Sequence, residues 1–251
     1  MKILNRTLIF LTAAVAALTS CKQDETLQYN NLTMGNITAG TFTSDQGNIF
    51  TVVEQNCREG WENMKRAFVS CDVLKKVEGT ENEYEVRLNM CYSVLTKDIV
   101  KKTAADADTE MAVQDPVNIA DFWIAGGYVN MYLQFEGKSG STKKHLVNFV
   151  LDEEASTEGK YVFELRHNSY GESLIYNENE IVLGGSFVSF PITDIIKEDS
   201  AEIIVSHKWY KSAGQGWSSE TQEYNYKISY TKGGYEQAPS AFASKATTNL
   251  N

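Results

Sequence analysis

The chain is poor in the residues that carry chemistry. Histidine occurs only at His145, His167 and His207, each in a different predicted strand. Zinc accepts three imidazoles and a water, but three separate strands supply no local ligand spacing, and no C-x-x-C or Cys/His cluster accompanies them. The sequence therefore points to no metal and no cofactor. Ser186 and Ser189 flank Gly185, yet no G-x-S-x-G stands between a strand and a helix, which removes the nucleophile elbow of a hydrolase. Carboxylates gather at strand ends, as in Asp152-Glu153-Glu154, where such charge usually keeps a loop in water. Basic residues are also short, 23 against 33 acidic ones, for a net charge of −10. A nucleic-acid binder needs a positive field to displace counterions, so that class is excluded. Beyond residue 20 no apolar run approaches the length of a membrane span.

What is present begins at the N-terminus. Lys2 and Arg6 precede an apolar run from Leu8 to Leu18, too short to cross a bilayer and of signal-peptide type. It ends in Leu18-Thr19-Ser20-Cys21, the apolar-small-small-Cys pattern of a bacterial lipoprotein cleavage site. The expectation is a signal peptide over 1–20 and a lipid on Cys21 that makes the membrane the chain's first partner. Cleavage would remove Lys2, Arg6 and no acid, taking the formal charge from −10 to −12. Lys22–Asn31 is polar and acidic, so 21–32 reads as a tether. Its lysine and acids straight after Cys21 resemble an export tag for the outer membrane of a Gram-negative bacterium, at the cell surface or periplasmic face.

With Cys21 lipidated, Cys57, Cys71 and Cys91 remain, an odd number that allows one bridge at most. Cys71 lies on an apolar register with Val69 and Val73, and Cys91 on a polar one with Arg87 and Asn89. Buried or idle thiols are expected in preference to a Cys57–Cys71 bridge.

From Leu32 onward the pattern is β. Gly40–Thr43 and Asn48–Glu54 flank a Ser44-Asp45-Gln46-Gly47 turn, and Arg66–Val77 leads through Glu78–Asn82 into Tyr84–Leu95. In the last segment Tyr84, Val86, Leu88, Met90, Tyr92 and Val94 alternate with polar residues, which predicts one buried face. Lys97–Gln114 loses the alternation and reads as an interdomain connector. Strands then resume at Val117–Trp123, Tyr128–Phe135, His145–Leu151, Tyr161–His167, Ser186–Ile192, Ala201–Tyr210 and Gln222–Thr231. Seven short strands with turn signals predict an antiparallel, immunoglobulin-like sandwich. Asn177–Asn179, Gly184-Gly185 and Ser212–Ser219 are the expected loops. The domains so defined are 33–112 and 113–240, with a flexible tail at 241–251.

Two features could carry binding. Trp217 follows Gly214 and Gly216 in a polar loop, where an indole could stack on a sugar or anchor a protein; folding back over the sandwich end is the structural alternative. Arg166, His167 and Asn168 close a strand ahead of Tyr170-Gly171, either as a hydrogen-bonded corner that locks the sandwich or as a polar ligand cradle.

These residues carry a resemblance. Lys144-His145, Leu165-Arg166-His167-Asn168, Tyr170-Gly171-Glu172 and Val188-Ser189-Phe190 together resemble the NigD-like lipoproteins, with Glu172 standing where Asp is expected. The Ser44–Gly47 turn and Asp115-Pro116 also fit. The resemblance covers nearly the whole mature chain and implies an N-terminal OB-like barrel followed by a C-terminal β-sandwich. It supplies no catalytic residue. The expected function is a non-enzymatic envelope lipoprotein that binds a glycan, peptide or protein through its β-domains. A bacteriocin-immunity protein that sequesters a cationic peptide is the second reading, and a hydrolase whose site assembles only in three dimensions the third.

Overall fold

The computed structural model describes residues 28–57, 59–104, 109–176, 180–213 and 216–234. The expected signal peptide, Cys21, the start of the tether and the tail at 241–251 lie outside the described residues, as does the loop at 177–179.

Five strands close into a barrel: β1 (Gln28–Thr38), β2 (Thr41–Ser44), β3 (Ile49–Gln55), β4 (Arg66–Lys76) and β5 (Glu83–Ser93), in the order β1-β2-β3-β5-β4. β3 and β5 run parallel and the other pairs antiparallel, which is the circuit of an OB barrel. β1 begins at Gln28, inside the stretch expected to be tether, and a bulge between Tyr29 and Thr33 bends it along β4. It reaches β2 through Ala39-Gly40, both at positive φ, as a two-residue hairpin of this twist requires. Phe42 and Phe50 stack inside at 5.9 Å, beside Val86, Leu88 and Trp61.

The alternation expected through Tyr84–Leu95 breaks at Asn89. Cys71 pairs with Leu88 and Ser70 with Met90, so Asn89 is an extra residue. Beyond it the faces exchange: Met90 and Tyr92 turn outward, 43% and 41% exposed, and Cys91 packs against the barrel core. Cys91 is thus on the inward register, not the polar one.

The second half is a two-sheet sandwich. One sheet has the order β14-β13-β11-β10-β7 and the other β6-β12-β9-β8. The strands are β6 (Leu95–Thr96), β7 (Val100–Lys101), β8 (Asn118–Ala125), β9 (Tyr128–Lys138), β10 (Leu146–Leu151), β11 (Lys160–Asn168), β12 (Ile181–Pro191), β13 (Ser200–Ala213) and β14 (Gly216–Thr231). All seven strands expected after Asp115-Pro116 are present, and β6 and β7 are additional. They correct the domain boundary: β6 pairs with Val188 and Ser189, and β7 with Val150 and Leu151. The stretch read as connector therefore starts inside the sandwich, and 112 is not where the halves divide. Two-residue strands carry too few side chains to show a period, which is why they read as linker. Three pairings run parallel, namely β6–β12, β7–β10 and β11–β13, so the sandwich is mixed where antiparallel pairing alone was expected.

Gly184 and Gly185 lie within β12, not in a loop, and glycine is required at 185 because a side chain there would collide with the hydroxyl of Tyr132 on β9. Between the sheets Phe149 stacks on Phe163 at 4.5 Å and on Phe190 at 4.9 Å, in a core shared with Met131, Leu133, Ile203 and Val205.

The barrel sits on the outer face of the β6-β12-β9-β8 sheet. Met34, Phe68 and Val94 meet Trp123, Ala125, Tyr132 and Phe187, with the Phe68 and Phe187 rings 4.4 Å apart. Through this joint runs Arg66, the first residue of β4, with no exposed surface. Its Nη1 donates to Asp45 Oδ1 and Asn36 Oδ1, both at 2.9 Å. Its Nη2 donates to Asp45 Oδ2 at 2.8 Å and Asn130 Oδ1 at 3.1 Å, and its Nε to Ser189 Oγ at 3.2 Å. Every donor of the fork is met, and the guanidinium also lies 4.0 Å from the centre of the Tyr128 ring.

Removing one partner of a buried pair leaves an uncompensated charge. Arg66→Met is expected to destabilise the chain by about 3–5 kcal/mol in urea unfolding. The double variant Arg66→Met/Asp45→Leu should recover most of that loss. A single variant as stable as the parent would show that the pair does not hold the joint.

Candidate functional site

β10 and β11 form a hairpin in which Val147 lies opposite His167 and Leu146 opposite Asn168. That register carries His145, just before β10, to the diagonal position beside His167. The two rings stand with His145 Nδ1 and His167 Nε2 at 3.0 Å. On the far side His167 Nδ1 is 2.9 Å from Pro116 O, and on the near side His145 Nε2 is 3.4 Å from Glu172 Oε2. Three of the sequence motifs thus meet in one row: Asp115-Pro116, the two histidines and Glu172.

The row fixes its own hydrogens. Pro116 O only accepts, so Nδ1 of His167 carries the hydrogen and its Nε2 accepts one from Nδ1 of His145. Nε2 of a neutral His145 is then a lone pair facing a carboxylate, and that contact is the longest of the three. Burial pushes the His167 pKa down to about 4, with the neighbouring His145 adding to the shift. His145 is lowered too, by burial, against a partial upward pull from Glu172 and Asp115. Burial opposes the charge on Glu172, but Ser141, the Lys138 amide and Lys143, joined by His145 when it is protonated, outweigh it and keep that carboxyl below its usual range.

The surrounding polar groups serve the backbone. Asp115 Oδ2 accepts from Ser169 N at 2.8 Å and Ser169 Oγ at 2.6 Å, while Asp115 N donates to His167 O. Asn168 Oδ1 accepts from Tyr170 N at 2.9 Å, an Asx turn that carries Tyr170 and Gly171 at φ 51° and 83°. The left-handed residues are therefore Tyr170 and Gly171, and Asn168 supplies the cap. Ser141 Oγ donates to Glu172 Oε1 at 2.6 Å, so this hydroxyl is paired with a carboxylate and not with an imidazole base.

Arg166 points to the other face of its sheet. Its Nε and Nη2 donate to Glu164 Oε2 at 2.8 and 2.7 Å, and its Nη1 to Met111 O at 3.2 Å, which pins the 3-10 turn Glu110–Ala112. Arg166, His167 and Asn168 are 6%, 1% and 8% exposed. Lys102 bridges Glu164 to Asp152 nearby, so the cations and anions along this face neutralise each other.

The third histidine lies apart. His207 stacks between Tyr224 and Tyr226, at 5.6 and 5.4 Å, with Nδ1 lacking a hydrogen-bond partner among the described residues. Burial alone lowers its pKa to about 4. Two of the three imidazoles therefore converge, and no metal-binding group of three His, Cys, Asp or Glu exists among the described residues. Trp217 belongs to β14, opposite Ser212, so the segment expected as a loop is the end of a long hairpin; its side chain is outside the described residues.

Comparison with known proteins places this geometry. Residues 98–224 match the NigD-like C-terminal beta sandwich domain. Among solved structures, a protein of unknown function from Bacteroides vulgatus is similar at TM-score 0.61 and 19% identity, over 86% of this chain and 99% of that one. A NigD-like immunity protein from Bacteroides caccae is similar at TM-score 0.55 and 19% identity, over 80% and 96%. A candidate lipoprotein from Bacteroides fragilis gives 0.56 and 15%, over 80% and 97%. Among curated proteins none matches the chain.

Histidines buried in the neutral form destabilise a fold when they must charge. Their folded pKa values lie below the unfolded value near 6.5, so their contribution is full above that pH and is lost as pH falls toward 4. Thermal unfolding should show this acid loss, and His207→Phe, which keeps the ring stack, should reduce it. His167→Ala should cost roughly 1–3 kcal/mol at pH 7 by stranding its partners. An H167A protein that melts like the parent would remove the structural role of the row.

Proposed function

Since the chain belongs to the family of the NigD-like C-terminal beta sandwich domain, we propose that it is a lipid-anchored envelope protein without catalytic activity. Its rigid two-domain body holds a binding surface for a protein or peptide. The anchor is Cys21, and the outer membrane of a Gram-negative bacterium is its place.

One observation carries the binding reading: apolar side chains stand in solvent at the end of the sandwich. Leu183 is 61% exposed, Tyr176 60%, Val182 46% and Ile175 45%. They share one strand end, because Leu183 lies opposite Glu136 and the Glu136 carboxylate accepts from Leu174 N at 2.7 Å. Exposed apolar residues grouped in this way suit a protein partner. A glycan or a nucleic-acid strand would stack on aromatic rings across β2 and β3 of an OB barrel. That face instead presents Thr43, Thr51, Val53 and Glu54. The inward commitment of the His145–His167 row supports the absence of catalysis.

The immunity reading makes the partner a cationic toxin peptide. It is favoured by the net charge of −10 and by the likeness to an immunity protein. High salt would weaken such a complex and leave an apolar one intact.

Two measurements test these readings. Cys21→Ala should abolish fatty-acid labelling and release the protein from membrane fractions; continued attachment would refute the anchor. Ile175→Asp/Leu183→Asp should leave Tm unchanged and lower capture of the partner from solubilised envelope by about tenfold or more. Undiminished capture by that variant would place the binding surface elsewhere.

A further inference from the structure

The bulge at Asn89 has a chemical consequence in the barrel. β3 and β5 run parallel and side by side, Gln55 opposite Leu88, and the pairing continues with Asn56 N donating to Leu88 O at 2.8 Å. Cys57 stands two residues past Gln55, and its Sγ is 3.7 Å from that same Leu88 carbonyl. Cys91 stands three residues past Leu88, but Asn89 is the extra residue of the bulge, so Cys91 is two pleats along. Cys57 lies in the bend just past the end of β3 at Gln55, and extending the parallel pairing by two residues brings it alongside Cys91 at roughly the 5 Å strand spacing. A disulfide spans roughly 4.4–6.8 Å between Cα atoms.

Their side chains meet the same surroundings. Both pack against the barrel cluster with Met64, and Cys91 Sγ is 3.6 Å from Met64 Sδ. The two thiols also sense each other, since charge on Cys57 raises the pKa of Cys91.

Cys71 is excluded on geometry. It lies on β4, across β5 from β3, so Cys57 is two strand spacings away, close to 10 Å. Cys91 lies opposite Val69, which makes Cys71 its diagonal neighbour at about 7–8 Å, beyond the span of a relaxed bridge.

We propose that Cys57 and Cys91 are a disulfide-forming pair, which ties the end of β3 to the bulge of β5. All three described cysteines are thiols in this structure, so the bridge forms by exchange with an external disulfide. Cys57, whose pKa is raised less than that of Cys91 at about 12, attacks first as thiolate. The attack forms a mixed disulfide and expels one thiol of the oxidant, which takes up a proton. Cys91 then loses its proton and attacks the Cys57 sulfur, expelling the second thiol. The pair gives up two electrons and two protons, and the exchange disulfide becomes two thiols. The geometry holds wherever the chain resides.

The test uses the full chain, reduced and then incubated with oxidised glutathione. Remaining thiols are trapped with iodoacetamide and the peptides mapped by mass spectrometry. The expected result is a peptide linking Cys57 to Cys91, with Cys71 alkylated. In Cys91→Ser the reaction should stop at glutathione on Cys57. Recovery of Cys57 and Cys91 as separately alkylated or separately glutathionylated peptides, or a bridge to Cys71, would overturn the proposal.

Discussion

A guanidinium removed from water is costly unless each of its donors is met, and the junction of barrel and sandwich is built round one whose donors all are. The aromatic contacts there, Phe68 and Met34 against Phe187, Tyr132 and Trp123, supply area but little direction. Arg66 supplies direction. Its fork binds Asp45 from the barrel's own turn, Asn36 from β1, and Asn130 and Ser189 from the sandwich, so one relative orientation satisfies all four. Burial pushes the Asp45 carboxyl up against the pull of Arg66, so for the acid of this pair desolvation outweighs the attraction. Its worth is therefore in specifying the joint, and the cost appears when one partner is removed.

The same logic explains where the sequence motifs went. Asp45 of the Ser44–Gly47 turn and Ser189 of Val188-Ser189-Phe190 are 144 residues apart in the chain and meet on one side chain. Asp115-Pro116, His145, His167, Asn168 and Glu172 meet in the second cluster. Every segment that resembled the family thus lands in one of two buried polar networks or in the hairpin between them. These are the positions where a polar residue cannot be exchanged for another of the same class, because its partners are fixed and dry. The motifs mark how the fold closes more than where a ligand sits.

Much of the architecture was legible because it rests on period. The seven sandwich strands showed in their apolar runs. What stayed hidden depends on long-range partners. Asn89 offers no local sign of a bulge, so the strict alternation carried Met90, Tyr92 and Cys91 to the wrong faces. β6 and β7 exist only through their pairing with β12 and β10. Arg66 opens an apolar strand and looks like its solvated end, since its acid is in a turn and its other acceptors lie on a strand of the barrel distant in sequence and in the sandwich. The His145–His167 contact was nearer to hand: pairing the two segments as a hairpin with Val147 opposite His167 suffices to bring the rings together.

The edges of the sheets bear on where the proposed partner would meet the chain. A closed barrel has none. β8, at one margin, is bulged between Ile119 and Asp121, and Tyr226 from β14 donates to Ile119 O at 3.0 Å, which covers part of it. β14, at another, carries Glu220, Glu223 and Lys227, the charges that discourage strand addition. β12 is different. β6 pairs with it only at Val188 and Ser189, and its first residues, Ile181, Val182 and Leu183, bear no charge. A lightly guarded margin among the described strands is therefore the one beside Ile175 and Tyr176. An uncharged edge flanked by apolar side chains offers a polypeptide both backbone and side-chain contacts, and of the four exposed apolar side chains there only Tyr176 offers a sugar a ring face. That coincidence is the structural basis of the protein partner proposed for the sandwich end.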